Sequence, residues 1–136
     1  MRAALIDTDT ISLFLRNHPQ VVTNFQVYLE EFNSIHLSII TYYEIVSGLK
    51  YRDARKQLLA FLELAAQSIV LPLTEQSTTI SGDIYAQLRI AGIPVDDIDL
   101  LIAGTAIANG LVLVTHNQKH FGRIAQLPFE DWTQPQ

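Results

Sequence analysis

Ala3-Ala4-Leu5-Ile6-Asp7-Thr8-Asp9-Thr10 sets four apolar residues directly against an acid, a hydroxyl, a second acid and a second hydroxyl. A continuous apolar run bounded by polar residues suits a strand buried on both faces, in the middle of a parallel sheet covered by helices. Ligands of open α/β sheets sit beyond the carboxyl ends of the strands. Asp7 stands at that end, a carboxylate carried out of the core on a rigid element.

Outward from this strand, the pattern alternates between short apolar runs and helical periodicity. The first strand covers Ala3 to Asp7, and Thr8 or Asp9 is expected to cap a short helix through Ile11, Leu13, Phe14 and Leu15, broken at Asn17-His18-Pro19. Val21, Val22, Phe25, Tyr28, Leu29 and Phe32 recur at helical spacing. Ile35 to Ile40 reads as the second strand, followed by a helix from Thr41 to Lys50 and another from Asp53 to about Ala66. Ser68 to Leu73 is the third strand, with Pro72 placing it at an edge or marking its end. Thr74 to Ala91 is helical and ends at Gly92, a residue suited to a helix C-terminus. Asp96, Asp97 and Asp99 lead an almost wholly apolar helix, Leu100 to Ala108. Leu111 to Thr115 is the fourth strand, His116 to Phe121 a turn or short helix, and Pro128 to Trp132 a fifth strand.

Strands alternating with helices predict a three-layer α/β/α sandwich, with a mostly parallel sheet of four or five strands, in one domain over residues 1–136. The 136 residues are 49% hydrophobic, enough for one core. No run of eighteen apolar residues predicts a membrane helix, and Met1-Arg2 running into a strand does not read as a signal peptide. The chain has no cysteine, which excludes a disulfide scaffold and thiolate metal sites and fits a cytoplasmic protein. Its net charge of −5 gives no basic excess, so a nucleic-acid role needs a metal, a local basic patch or a partner. Lys50, Arg52, Arg55 and Lys56 form such a local basic run.

With right-handed crossovers, a helix that leaves a strand begins at the carboxyl edge of the sheet. Asp7, Glu44, Asp99 and Asn117 are therefore expected on one edge. Each has a plain structural reading as well. Asp9 reads as the cap of the first helix, Thr41-x-x-Glu44 has the form of a capping box, and an Asn after a strand is commonly a turn residue. Of the acids at 96, 97 and 99, one cap and one dipole partner would suffice, which leaves one free for a ligand. Bare carboxylates held close together repel, and a divalent cation removes that penalty. Magnesium takes oxygen ligands, commonly one or two carboxylates with several waters. The four histidines are scattered and read as non-ligands.

These blocks resemble the PIN-domain ribonucleases and, within them, the VapC-type toxins of toxin–antitoxin pairs. Leu5-Ile6-Asp7-Thr8-Asp9 is similar to the family's opening block. Ser38 to Leu49, with Glu44, resembles the second. Asp99-Leu100-Leu101-Ile102-Ala103 resembles the third, and Leu113-Val114-Thr115-His116-Asn117 with His120-Phe121 the fourth. The resemblance implies Asp7, Glu44, Asp99 and Asn117 as the working residues of an endoribonuclease that uses Mg2+ or Mn2+, forms a homodimer and is restrained by a small antitoxin. Two departures stand out. Asp9 replaces the usual Asn, and Asn117 is not acidic, which weakens the case for a second ion.

The resulting expectation is that Asp7 and Asp99 hold the metal, while Glu44 orients or deprotonates a water that attacks RNA. Thr8, Thr115 and Asp97 would support the carboxylates, and Arg52, Arg55 and Lys56 would contact the RNA backbone. No histidine pair is expected to serve as acid and base. Two rival classes fit less well. A haloacid-dehalogenase-like phosphatase would use Asp7-x-Asp9 but wants Thr or Val where Ile11 stands, and a lysine between Lys56 and Asp99, where none lies. A non-catalytic receiver domain wants an acid where Pro72-Leu73-Thr74 stands. An inactive PIN-like binding module differs from the enzyme only in an assay.

Overall fold

The computed structural model describes all 136 residues. In chain order the elements are β1 (Ala4–Ile6), α1 (Thr8–Leu15), α2 (Pro19–Phe32), β2 (His36–Ser38), α3 (Ile39–Tyr51), α4 (Arg55–Ala66), β3 (Ile69–Leu71), α5 (Glu75–Ile90), α6 (Asp97–Ala108), β4 (Val112–Val114), α7 (Gln118–Phe121) and β5 (Phe129–Glu130). The five strands are all parallel in the order β3-β2-β1-β4-β5. β1 is thus central and β3 an edge. This order differs from the 2-1-3-4-5 order of receiver-like sheets, which removes that reading.

The period of two along the strands builds the two apolar layers. Ala4 and Ile6 of β1, with Val112 and Val114 of β4, face a core made with Val21, Phe25, Tyr28, Leu49, Phe61 and Trp132. Leu5 and Leu113 face the opposite core, with Ile84, Leu88, Ile102, Ala106 and Phe121. Residues 4 to 6 and 112 to 114 are all buried, as expected of strands covered on both faces. The α5–α6 pair packs closely because Gly104 has no side chain: a Cβ there would lie 2.5 Å from the Ser77 carbonyl oxygen.

Four local expectations are corrected, and each correction bears on the site. First, the second strand stops at Ser38 rather than Ile40. Ser38 caps α3 by accepting the Thr41 N–H at 2.9 Å, so there is no Thr41–Glu44 capping box. Second, α1 has Asp7, not Thr8 or Asp9, at its capping position, and the Asp7 carboxylate makes no capping hydrogen bond. Third, α6 begins at Asp97, with Asp96 at its capping position and no side-chain cap, so Asp97 and Asp99 stand within its first turn. Fourth, the helix expected from Asp53 begins at Arg55. At α1 and α3 a polar side chain has a better use than the local motif allowed it.

Candidate active site

Asp7 leaves the central strand at the carboxyl edge. Its N–H donates to the Val114 carbonyl at 2.8 Å, which ties it to the end of β4. Free of capping duty, its Oδ2 accepts the Thr115 hydroxyl at 2.8 Å. Asp7 is 5% exposed, and Thr115 is fully buried. Burial, then the charge of Asp9, and to a smaller extent that of Asp99, push the Asp7 carboxyl up to about 8; the hydrogen bonds from Thr115 and the Thr8 backbone oppose this in part. Asp9 is also raised, chiefly by burial. It does not cap a helix: Oδ2 accepts the His116 N–H at 3.0 Å, and Oδ1 accepts the Thr10 hydroxyl at 3.1 Å.

Glu44 lies in the second turn of α3, where no capping role competes for it. The Thr8 hydroxyl donates to Glu44 Oε1 at 2.6 Å and lies 3.0 Å from the buried Thr41 hydroxyl. Thr8 therefore links α1 to α3 and holds the Glu44 carboxylate. Asp99 approaches from α6, and its Oδ2 lies 2.8 Å from His120 Nδ1. His120 sits in α7, whose capping residue is Asn117, with Asn117 Oδ1 accepting the His120 N–H at 3.4 Å.

The residues expected at the edge thus divide. Asp7, Thr8, Asp99 and Thr115 gather about the ends of β1 and β4, with Glu44 joined through Thr8. Asn117 caps α7, its Oδ1 accepting the His120 backbone N–H, so its direct part is to start the short helix that carries His120. Asp97 is exposed and turns to a separate cavity of about 310 Å³ against Ser81 and Tyr85 of α5, away from the other acids. Arg52 lines a cleft of about 530 Å³ with Thr8 and Glu44, but Arg55 and Lys56 do not; Arg55 pairs instead with Asp53 at 2.9 Å. Sequence reasoning set His120 aside and passed over Arg16, which also lines the cleft. The signal for His120 was its spacing from Asn117, which one short capped turn converts into contact with Asp99.

The donor chemistry is hard oxygen throughout, and Asp99 is close enough to Asp7 to raise its pKa. That suits a small divalent cation held by Asp7 and Asp99, with water completing its coordination. It does not suit a cage built from protein alone, because no three His, Asp or Glu side chains converge closely enough to hold an ion.

A buried acid ends the central parallel strand, with Asp9 and Asp99 near it and Glu44 joined through Thr8, and the PIN domain family model matches residues 4–127. The chain is 32% identical over 130 residues to Ribonuclease VapC1 of Haemophilus influenzae, covering 95% of this chain and 97% of that protein. It is 33% identical over 133 residues to the tRNA(fMet)-specific endonuclease VapC of Salmonella typhimurium, covering 94% and 96%. The solved structure of DNA-bound VapBC from Salmonella typhimurium superimposes with a TM-score of 0.84 at 32% identity, covering 97% of this chain and 99% of that one. VapBC-1 from nontypeable Haemophilus influenzae does so with a TM-score of 0.84 at 30% identity, covering 96% and 98%. The chain belongs to the PIN-domain family, and within it to the VapC proteins.

Proposed function

We propose that this chain is an endoribonuclease toxin that hydrolyses RNA phosphodiesters with the aid of Mg2+ or Mn2+, is restrained by a small antitoxin protein and acts in the cytoplasm as a homodimer of one-domain subunits. Ribonuclease action accords with the names of its relatives, and an antitoxin accords with the VapBC complexes it resembles. No helix of the chain is long and apolar enough to cross a membrane. The single observation that carries the metal-dependent reading is Asp7. A carboxylate this buried, with Asp9 and Asp99 beside it, is unfavourable as an anion unless a cation joins it.

A divalent ion bound by Asp7 and Asp99 would supply positive charge to a phosphodiester oxygen and lower the pKa of water beside it. The protein's own residues do the rest. Thr115 fixes Asp7, and His120, set by Asn117, fixes Asp99. Glu44, aligned by Thr8, orients the attacking water and accepts its proton. The new bond forms between that water's oxygen and phosphorus. The bond from phosphorus to the ribose 3′-oxygen breaks, and that oxygen is protonated from solvent. The products carry a 5′-phosphate and a 3′-hydroxyl. Single-stranded loops are the expected target, since their bases splay out and the backbone enters a narrow cleft.

The test is incubation of the purified chain, freed of antitoxin, with a panel of structured RNAs, followed by end-group analysis. Cleavage is expected only with added magnesium or manganese, and with 5′-phosphate ends. Cyclic 2′,3′-phosphate ends, or full activity in excess chelator, would overturn the mechanism.

A further inference from the structure

The cleft beside Glu44 holds a repeated pattern. On α1, Thr8, Ser12 and Arg16 line it; on α3, Glu44, Gly48 and Arg52 line it. Each set has spacing i, i+4, i+8, so each helix presents one face, with a site residue at its start and an arginine two turns on. Both arginines are the capping residues at the C-termini of their helices. The Arg52 side chain folds back along its helix, and the Arg16 side chain stays at the end of α1. Arg16 Nε donates to the Ser12 carbonyl at 3.3 Å, and Arg52 Nη1 lies 3.8 Å from where a Cβ on Gly48 would stand. The Arg52 guanidinium therefore lies about one turn, ~6 Å along its helix, from Glu44, while Arg16 lines the same cleft from the end of α1. Neither is among the ion pairs of the structure, which involve Arg2 and Arg55, and their terminal nitrogens are free to take an oxyanion.

We propose that Arg16 and Arg52 together form a phosphate-binding subsite that grips the RNA backbone about one nucleotide from the bond cut beside Glu44. The proposal rests on the nuclease reading above and adds the substrate contact which that reading lacks. Two guanidiniums across a cleft of about 530 Å³ can each bind a phosphate through two N–H groups, which a lysine cannot do. Their position also answers the charge problem. The chain is acidic overall, and Glu44 lines the cleft, so two cations lining the same cleft offset the repulsion of a phosphodiester. Gly48 lines the cleft between Glu44 and Arg52, and a Cβ there would meet only the Arg52 guanidinium.

The probe is a fluorescent single-stranded oligoribonucleotide, with binding followed by anisotropy across a salt series. Binding is measured on full-length chain carrying Asp7→Asn so that the RNA stays intact, and cleavage on the chain with Asp7 in place. Arg16→Gln and Arg52→Gln should each weaken binding about tenfold. Each should also lower the slope of log K against log salt by about 0.7. In cleavage, KM should rise in the same proportion while kcat changes little. Arg→Lys at either position should restore the salt slope and only part of the affinity, which separates a phosphate contact from a folding defect. Unchanged salt slope and KM would overturn the subsite. So would a loss confined to kcat, or a loss of antitoxin binding with RNA parameters untouched. A chain with Asp7 in place that binds RNA through these arginines yet never cuts it would remove the nuclease reading and leave the subsite standing.

Discussion

At the scale of single residues, Asp7 makes the sharpest claim. Its carboxyl is raised to about 8 in the folded chain, against an ordinary value of 3.8. Between those values the folded state holds a proton that the unfolded state has released. Stability of the ion-free chain must therefore fall as pH rises from about 4 to about 8. Asp7→Asn removes that dependence, so its thermal midpoint should change less between pH 5 and pH 8 than that of the parent. Parallel curves for the two chains would mean Asp7 is ionised and solvated without strain. Added magnesium should recover the parent at pH 8 and not the variant, because a ligand that binds only the folded state stabilises it. A second residue, Thr8, spends its hydroxyl on Glu44 at 2.6 Å. Thr8→Val keeps its volume and loses that bond, and should lower cleavage about 10–100-fold while the melting curve moves little. Unchanged kcat would show that Glu44 needs no such support. The placement of Asp7, Glu44 and Asp99 toward one sheet edge was legible from the order of elements: Asp7 follows the central strand, and Glu44 and Asp99 stand early in helices that start at that edge. His120 and Arg16 were not. Their roles depend on a short capped turn and on which cleft a helix end borders, and neither leaves a periodic trace.

At the scale of elements, the order of strands and helices was legible throughout, whereas the helix starts were not. Local motifs compete for the same few polar residues: Thr41-x-x-Glu44 satisfies a capping box on paper, but Ser38 stands three residues earlier and takes the cap. That choice shortens the second strand, places Thr41 in the interior of α3 and leaves Glu44 free at the cleft. Asp7 shows the same competition resolved the other way, holding the capping position without spending its carboxylate there. The start of α3 is therefore a functional boundary, and Ser38 is its fully buried anchor. Ser38→Ala should cost about 1 kcal/mol, seen as a lower denaturant midpoint at unchanged slope. It should also lower kcat, because the first turn of α3 carries Thr41 and, through Thr8, the setting of Glu44. A stability loss with full activity would separate the cap from the site.

At the scale of the whole molecule, α3 and α4 bury one side and leave the other apolar and bare. Leu49 of α3 and Phe61 of α4 are core residues. Tyr43 at 65%, Leu59 at 64% and Tyr51 at 92% exposure remain outside, and Val27 and Leu29 of α2 add to the exposed apolar area. Side chains of this size are seldom left in water on a chain that functions alone, and aromatic anchors of this kind concentrate binding energy at interfaces. The same helices border the cleft that holds Glu44, so a basic residue on a protein bound to them would be drawn to that carboxylate. Leu59→Glu should weaken association by on the order of 2 kcal/mol and leave cleavage by the free chain intact, since Leu59 lines no part of the cleft. Light scattering of the chain alone and co-expressed with the proposed antitoxin assigns the surface. Loss of self-association marks a homodimer face, and loss of the partner marks an antitoxin face. A variant that changes neither, on a chain that stays monomeric at high concentration and retains its antitoxin, would refute an interface on these helices.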